Sequence, residues 1–208
     1  MRKILLKPSL MKDPSIIEVG VDEAGRGALA GPVTVAACIM PPGFQHELVK
    51  DSKLLNERQR AEARKLVMEN AIAYHVEHIP IDVIESTNIL KATLTGMETC
   101  LSEVHKKTNF QFILVDGDQF HGFNGIPFAT IIGGDNMYVS IAAASILAKT
   151  ERDSLMKDLS KDYMQYGWGS NKGYGTAQHR NAIVEAGPTE HHRPSFISHM
   201  LTKTSVLF

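Results

Sequence analysis

The chain has 208 residues, 43% of them hydrophobic and 22% charged, with a formal net charge of -1. That is enough chain for one well-packed α/β domain with a small appendage, and an ordinary composition for a globular protein. The near-neutral balance excludes a broadly basic nucleic-acid coat protein, yet leaves room for a local basic groove beside a cluster of acids.

In chain order, residues 1–15 read as a loose N-terminal lead-in. It starts basic, but its apolar run is too short for a signal peptide. No stretch approaches membrane-spanning length. Residues 16–22 and 33–40 read as two strands joined by a glycine-rich turn. Pro41-Pro42-Gly43 ends the second. Asp51-Ser52-Lys53 falls in a loop. Asn56 is placed to cap a helix over 57–70, with Ala61, Ala63, Leu66 and Val67 as its apolar stripe. The Arg and Glu residues interleaved there read as a solvated face. A strand over 72–79 is broken by Pro80-Ile81-Asp82, and a helical stretch follows over 84–104 with a break near Ser86-Thr87-Asn88.

Residues 110–116 form an apolar strand ending in acid, and 128–132 another strand. The small residues between Ser140 and Lys149 open a helix able to lie close to a sheet. Residues 166–175 read as a glycine-rich loop, and Thr176 caps a helix reaching Ala186. The tail His191-His192-Arg193-Pro194-Ser195-Phe196 precedes a short amphipathic end. Strands and helices mix in an α/β order. Cys38 and Cys100, the two cysteines, are far apart and in apolar surroundings. They read as buried small hydrophobes in a reducing compartment, and the expected localisation is cytoplasmic.

Asp22 and Glu23 close the first strand and are followed by Gly25-Arg26-Gly27. Neighbouring strand residues point to opposite faces, so these acids share a ligand only if the strand stops between them. Gly20, Gly25 and Gly27 permit such a stop. An isolated Asp-Glu pair is most often a solvated turn. Here Asp116 ends a second apolar strand and Asp135 ends a third. Acids at the carboxyl ends of several strands mark the edge where open α/β sheets carry their sites. Asp118 competes with Asp116, one step beyond Gly117. Hard oxygen ligands suit Mg²⁺ or Mn²⁺ rather than zinc. Two such ions activate a water and stabilise the leaving oxygen of a phosphodiester.

The octet from Gly20 to Gly27, with Leu29-Ala30-Gly31-Pro32 behind it, resembles the opening motif of type 2 ribonuclease H, the bacterial ribonuclease HII family. The resemblance continues in Asp51-Ser52-Lys53, Leu114-Val115-Asp116-Gly117 and Gly134-Asp135. It extends through the small-residue run Ile141–Lys149, Lys172-Gly173-Tyr174-Gly175-Thr176 and His192-Arg193-Pro194-Ser195-Phe196. The motifs stand in the family's order and cover residues 16–197. The resemblance implies a ribonuclease H-like fold: a mixed central sheet flanked by helices, with a small helical C-terminal extension. It implies a catalytic core over 16–160 and a substrate-reading segment over 161–208. It implies a four-acid metal and catalytic site on Asp22, Glu23, Asp116 and Asp135, with Mn²⁺ or Mg²⁺ as cofactor. The implied activity is endonucleolytic cleavage of RNA in RNA–DNA hybrids and 5′ of ribonucleotides embedded in duplex DNA. The products carry 3′-hydroxyl and 5′-phosphate ends, and the setting is ribonucleotide removal in DNA repair and replication, by a monomer. One departure is Gly133, where the family often carries Lys; it bears on a phosphate contact or on the charge near Asp135.

Telling RNA from DNA requires touching the 2′-hydroxyl. Within the resemblance, Gly25, Arg26 and Gly27 are the ribose reader, Arg26 also reaching phosphate. Lys53 is a backbone-phosphate contact. Tyr174 is similar to the family tyrosine that packs on the deoxyribose after the ribonucleotide, which selects an RNA–DNA junction by shape. Ser145 and Lys149 share a helix face; they either approach the substrate backbone or form a helix-internal polar pair, and Lys149 has Asp153 as a rival partner. Trp168 is either structural or a substrate contact. His191 and His192 lack metal spacing and read as a turn, and His179 as surface or structural. A non-catalytic hybrid-binding module would have lost an acid. A different metal nuclease would lack the Arg26 and Tyr174 loops.

Overall fold

A computed structural model describes residues 5–201; the ends of the expected lead-in and C-terminal segment, 1–4 and 202–208, lie outside the described residues. The elements run β1 (Glu18–Ala24), β2 (Val33–Ile39), α1 (Glu57–Asn70), β3 (Ala73–Ile79), α2 (Ile81–Ser86), α3 (Ile89–Lys107), β4 (Phe112–Asp116), β5 (Phe128–Ile131) and α4 (Val139–Leu159), then α5 (Trp168–Asn171), α6 (Ala177–Ala186) and α7 (Pro194–Leu201). The sheet order is β3-β2-β1-β4-β5. β1–β2 and β2–β3 are antiparallel, and β1–β4 and β4–β5 parallel. This is the mixed, helix-flanked sheet the sequence predicts.

Side chains alternate across the sheet with the strand period of two. Val19, Val21, Val35, Ala37 and Ile39 pack on Met97, Cys100, Leu101 and Val104 of α3. Ala36 and Cys38 pack on Ala142, Ala143 and Ile146 of α4, with Val67 of α1. Two glycines set how closely the helices approach. A Cβ on Gly20 would fall 2.1 Å from the Ser140 carbonyl carbon of α4, and one on Gly96 of α3 would fall 2.7 Å from Val35. Both cysteines are buried, and burial pushes both thiols up, Cys100 to about 12.

Several expectations are corrected. The lead-in is not loose where it is described. Lys7 exchanges backbone hydrogen bonds with Met137 and Val139, and the N–H groups of Leu10 and Met11 donate to the buried Glu18 carboxylate. Two expected breaks do occur: β3 ends at Ile79, before Pro80 in the N-cap position of α2, and the helical stretch breaks between Ser86 and Ile89, where Asn88 caps α3 by accepting from the Lys91 N–H at 2.9 Å. The face of α1 is not simply solvated. Arg58 pairs with Glu62 along it, but Arg60 donates to the Ser52 carbonyl at 3.2 Å and Arg64 pairs with Glu151 of α4. Residues 166–175 are not all loop. Left-handed Gly167 (φ 67°) and Lys172 (φ 53°) bracket the short α5. Its Trp168 is fully buried with Tyr166, Ile183 and Ile197, and it fastens the C-terminal helices to Leu29, Ala30 and Met156.

The Gly20 contact is backbone against backbone, so neither side can yield cheaply. Gly20→Ala lowers stability by about 3 kcal/mol or more, at or beyond the usual overpacking range. Gly27→Ala, where an added Cβ meets nothing within 4 Å, stays within about 0.5 kcal/mol. Urea unfolding of the two variants checks the contrast.

Candidate active site

β1 and β4 lie side by side with Val21 opposite Val115. Asp22 and Asp116 therefore leave neighbouring strands together, on the face covered by α4. They line one cleft of about 490 Å³ with Glu23, Gly25, Arg26, Gly27, Ser52, Lys53, Ser145, Lys149 and Tyr174. The expected strand stop between Asp22 and Glu23 does not occur: Glu23 pairs with Val35 and Ala24 with Thr34 on β2. Instead the parallel ladder to β4 ends at Val21. Beyond it this edge of β1 is open, and both carboxyls reach the cleft from that edge. Asp135 is not at a strand end either. It lies in a 3₁₀ turn (Gly134–Asn136) beyond β5, buried behind Lys53.

Asp22 is 5% exposed. Its Oδ1 accepts from the Glu23 N–H at 2.7 Å, and the neighbouring Ser145 hydroxyl favours its ionised form. Burial, then the Glu23 and Asp116 charges, push the Asp22 carboxyl well above the usual range. Burial also raises Glu23, against the pull of Arg26 at 3.3 Å. Asp116 Oδ1 accepts from the Gly134 N–H at 2.7 Å. Asp135 is raised by burial and by Asp51 and Asp116, while Lys53 stands 3.6 Å away and opposes the shift. Burial works against the Lys53 charge, but Asp135, Asp51, Asp22 and Asp116 together raise its pKa.

Carboxyl groups crowded until they resist ionising form a donor set that a dication relieves. Asp135 Oδ2 is buried with no hydrogen-bond partner, which fits the same need. Among the described residues no three such groups stand at metal-ligand spacing. Arg26, the Gly134 N–H and Lys53 engage Glu23, Asp116 and Asp135 instead. Asp118 is exposed, accepts only from Gln119 next to it, and takes no part.

The reading residues divide. Arg26 and Lys53 have side chains 41% and 78% exposed at the cleft. Tyr174 is 38% exposed, with Lys149 Nζ 6.0 Å from its ring centre. Lys149 pairs with Asp153 at 2.6 Å, and Ser145 is buried between Asp22 and the Ser52 hydroxyl at 3.2 Å. Trp168 donates from Nε1 to His179 at 2.9 Å and is structural, as is the buried His179–His192 contact of 3.1 Å. Gly133 takes a left-handed φ of 70° beside open space. Sequence reasoning missed Asp51 and Asn136 as working parts. Asp51 Oδ1 accepts from the Lys53 N–H at 2.8 Å. The Asn136 amide bridges Asp51 Oδ2 at 3.3 Å and Asp135 Oδ1 at 3.1 Å. The one available signal was their adjacency to Lys53 and Asp135.

Known proteins resemble this chain in sequence and fold. The family model described as Ribonuclease HII matches residues 19–199. A ribonuclease HII of Cytophaga hutchinsonii is 47% identical over 180 residues, covering 86% of this chain and 89% of its own. The solved ribonuclease H2 of Pyrococcus horikoshii superposes with a TM-score of 0.72 at 20% identity, covering 91% of this chain and 99% of its own. A Bst ribonuclease HIII solved in complex with Mn²⁺ also gives 0.72, at 21% identity, covering 93% and 70%. The mixed sheet with its flanking helices is thus a ribonuclease H-like fold. From the family model and the close relatives together, the chain belongs to the ribonuclease HII family, as a divalent-metal-dependent endoribonuclease acting on RNA–DNA hybrids.

Proposed function

We propose that Asp22, Glu23, Asp116 and Asp135 are the catalytic acids of this hydrolase, and that they hold two ions, Mn²⁺ or Mg²⁺. One observation carries the reading: Asp22 is a buried carboxyl forced up in pKa by burial, Glu23 and Asp116, in the cleft that also holds the Gly25–Gly27 loop. Bound metal supplies water activation and charge neutralisation at the scissile phosphate. The protein's own groups supply position. Backbone groups of Gly25 and Gly27 approach the ribose, where no side chain bars the way, and Arg26 reaches the adjoining phosphate. Lys53 holds a backbone phosphate with a charge already fixed beside Asp135. Ser145 acts through Asp22, whose ionised form its hydroxyl favours. Lys149, held by Asp153, presents its ammonium to the substrate backbone. Tyr174 packs on the sugar after the ribonucleotide and selects the RNA–DNA junction. The enzyme thus cuts 5′ of a ribonucleotide in duplex DNA, with residues 16–160 as catalytic core and 161–208 as reading segment. It works as a monomer in the cytoplasm.

Loss of either central acid removes the metal site. Asp22→Asn and Asp116→Asn each slow cleavage of a duplex carrying one ribonucleotide at least about a hundredfold, equivalent to about 2.7 kcal/mol. Gel analysis in Mg²⁺ and in Mn²⁺ measures it, and a double variant that still cuts at the wild-type rate overturns the assignment.

The raised Asp22 pKa gives a pH signature. Its folded value lies above the ordinary 3.8, so the folded state binds the proton more tightly. The stability from this group is present at low pH and lost as pH rises from about 4 through the raised folded value. In chelator, the melting temperature of the wild type relative to Asp22→Asn is therefore lower at about pH 8 than at about pH 5. Mn²⁺ raises the melting temperature more at the higher pH, because it binds the carboxylate form. Asp22→Asn shrinks the Mn²⁺ shift. Thermal melts with and without chelator check all three effects.

A further inference from the structure

Two guanidinium groups lie under the reading loops. Arg152 in α4 and Arg193 just before α7 are fully buried. Both donate to backbone carbonyls, Arg152 from all three of its guanidinium nitrogens and Arg193 from two, its Nη2 being buried without a partner. Arg152 donates from Nε to Pro32 at 2.9 Å, from Nη2 to Ala30 at 3.0 Å and from Nη1 to Lys172 at 2.8 Å. Arg193 donates from Nε to Gly31 and from Nη1 to Arg26, both at 2.9 Å. The carbonyls belong to two segments only. Residues 26–32 continue the ribose-reading loop, and Lys172 lies two residues before Tyr174. The segments also meet directly, where the Leu29 N–H donates to the Gly173 carbonyl at 2.8 Å.

Arg152 touches the reading groups themselves. Its guanidinium carbon stands 5.3 Å from the centre of the Tyr174 ring, a cation–π distance. On its other side, a Cβ on Gly25 would fall 2.0 Å from its Nε, so the reading loop rests on the guanidinium. Burying such charge is costly, and a planar fork recovers part of that cost only where several acceptors converge in fixed geometry. Lysine offers a point charge and cannot hold three carbonyls in that plane.

We infer that Arg152 is a specificity-positioning residue, a clamp that holds the Tyr174 ring in register with the Gly25–Gly27 loop, with Arg193 fixing the loop side of that clamp, so that a ribose and the sugar after it are read as one unit. The inference rests on the junction-reading role proposed for Tyr174. The clamp touches no catalytic acid, so it governs which substrate is cut more than how fast the bond breaks.

The test compares kcat/KM on a duplex with one ribonucleotide against a long RNA–DNA hybrid, for Tyr174→Ala, Arg152→Lys and the double variant. It is run at a temperature where circular dichroism shows each variant folded. Tyr174→Ala lowers the ratio about tenfold, Arg152→Lys lowers it by about the same factor, and the double variant falls no further, as expected of groups acting as a unit. Arg193→Lys, which loosens the clamp from the other side, gives the same result and serves if Arg152→Lys does not fold. An unchanged ratio in Tyr174→Ala overturns the junction reading itself. A changed ratio there, with an unchanged ratio in the folded arginine variants, overturns the clamp. So does a double variant whose losses multiply. A merely structural role would lower the melting temperature and both rates together, leaving the ratio intact.

Discussion

The site depends on the contact between Gly20 of β1 and the backbone of α4 at Ser140 and Ile141. With no side chain at Gly20, α4 lies directly on the sheet, and its alanines keep it there. From that seat one face of α4 meets every part of the site in turn. Ser145 and Lys149 both face the cleft beside Asp22. Arg152 underlies the reading loop, and Met156 fills the space that a Cβ on Gly31 would need. These positions are three or four apart, as one helix face requires. A rigid rod thereby joins the acids at the sheet edge to the Gly25–Gly27 and Tyr174 loops.

The electrostatics of the cleft follow from the same closeness. Asp22 and Asp116 cannot avoid each other, because adjacent parallel strands deliver them to one face. The protein answers with partners that leave the acids available. Lys53 and Arg26 are long, exposed side chains pairing with Asp135 and Glu23 at 3.6 and 3.3 Å. Pairs of that length and exposure are weak, so a dication can take their place without dismantling buried structure. A net charge of -1 is therefore compatible with a polyanionic substrate. Acids crowd the cleft beside the cations Arg26, Lys53 and Lys149, and a bound dication would offset the acids' charge.

The strands, the small-residue helix and the acids were legible because each is written in local pattern: alternation, apolar runs ending in acid, and alanines where a helix meets a sheet. Tyr174 and Arg26 were legible only through family motifs. Other features escaped because their causes are distant in sequence. Arg152 and Arg193 look like any charged surface residue until the chain brings Pro32 and Gly31 to them, 120 and 162 residues away. The open edge at Asp22 depends on where β4 stops pairing, which β1 does not encode. The turn of α5 inside a glycine-rich stretch depends on Trp168 finding a buried partner in His179. Asp51 was visible as part of a motif, but its link to Asp135 runs through Asn136, a residue with no pattern of its own.

The backbone of the reading tyrosine is held by a chain of uncharged groups, and the hydrogen bonds fix each proton. His192 Nδ1 accepts from the Thr189 N–H at 2.9 Å, so its proton is on Nε2. That Nε2 donates to His179 Nε2 at 3.1 Å, which also accepts from Trp168 Nε1 at 2.9 Å. His179 must then carry its proton on Nδ1, and it donates to the Tyr174 carbonyl at 3.0 Å. Protonating His192 would put a second proton where the Thr189 N–H already points. Burial and the neighbouring His179 hold its pKa down to about 4, so the relay stays neutral across the working range of a nuclease. Tyr174 is thus gripped twice, by a neutral relay at its carbonyl and by the Arg152 charge at its ring. The ring's grip lies on the helix that also reaches Asp22, so one rigid element spans from Asp22 to the Tyr174 ring while the C-terminal helices hold the loop's backbone.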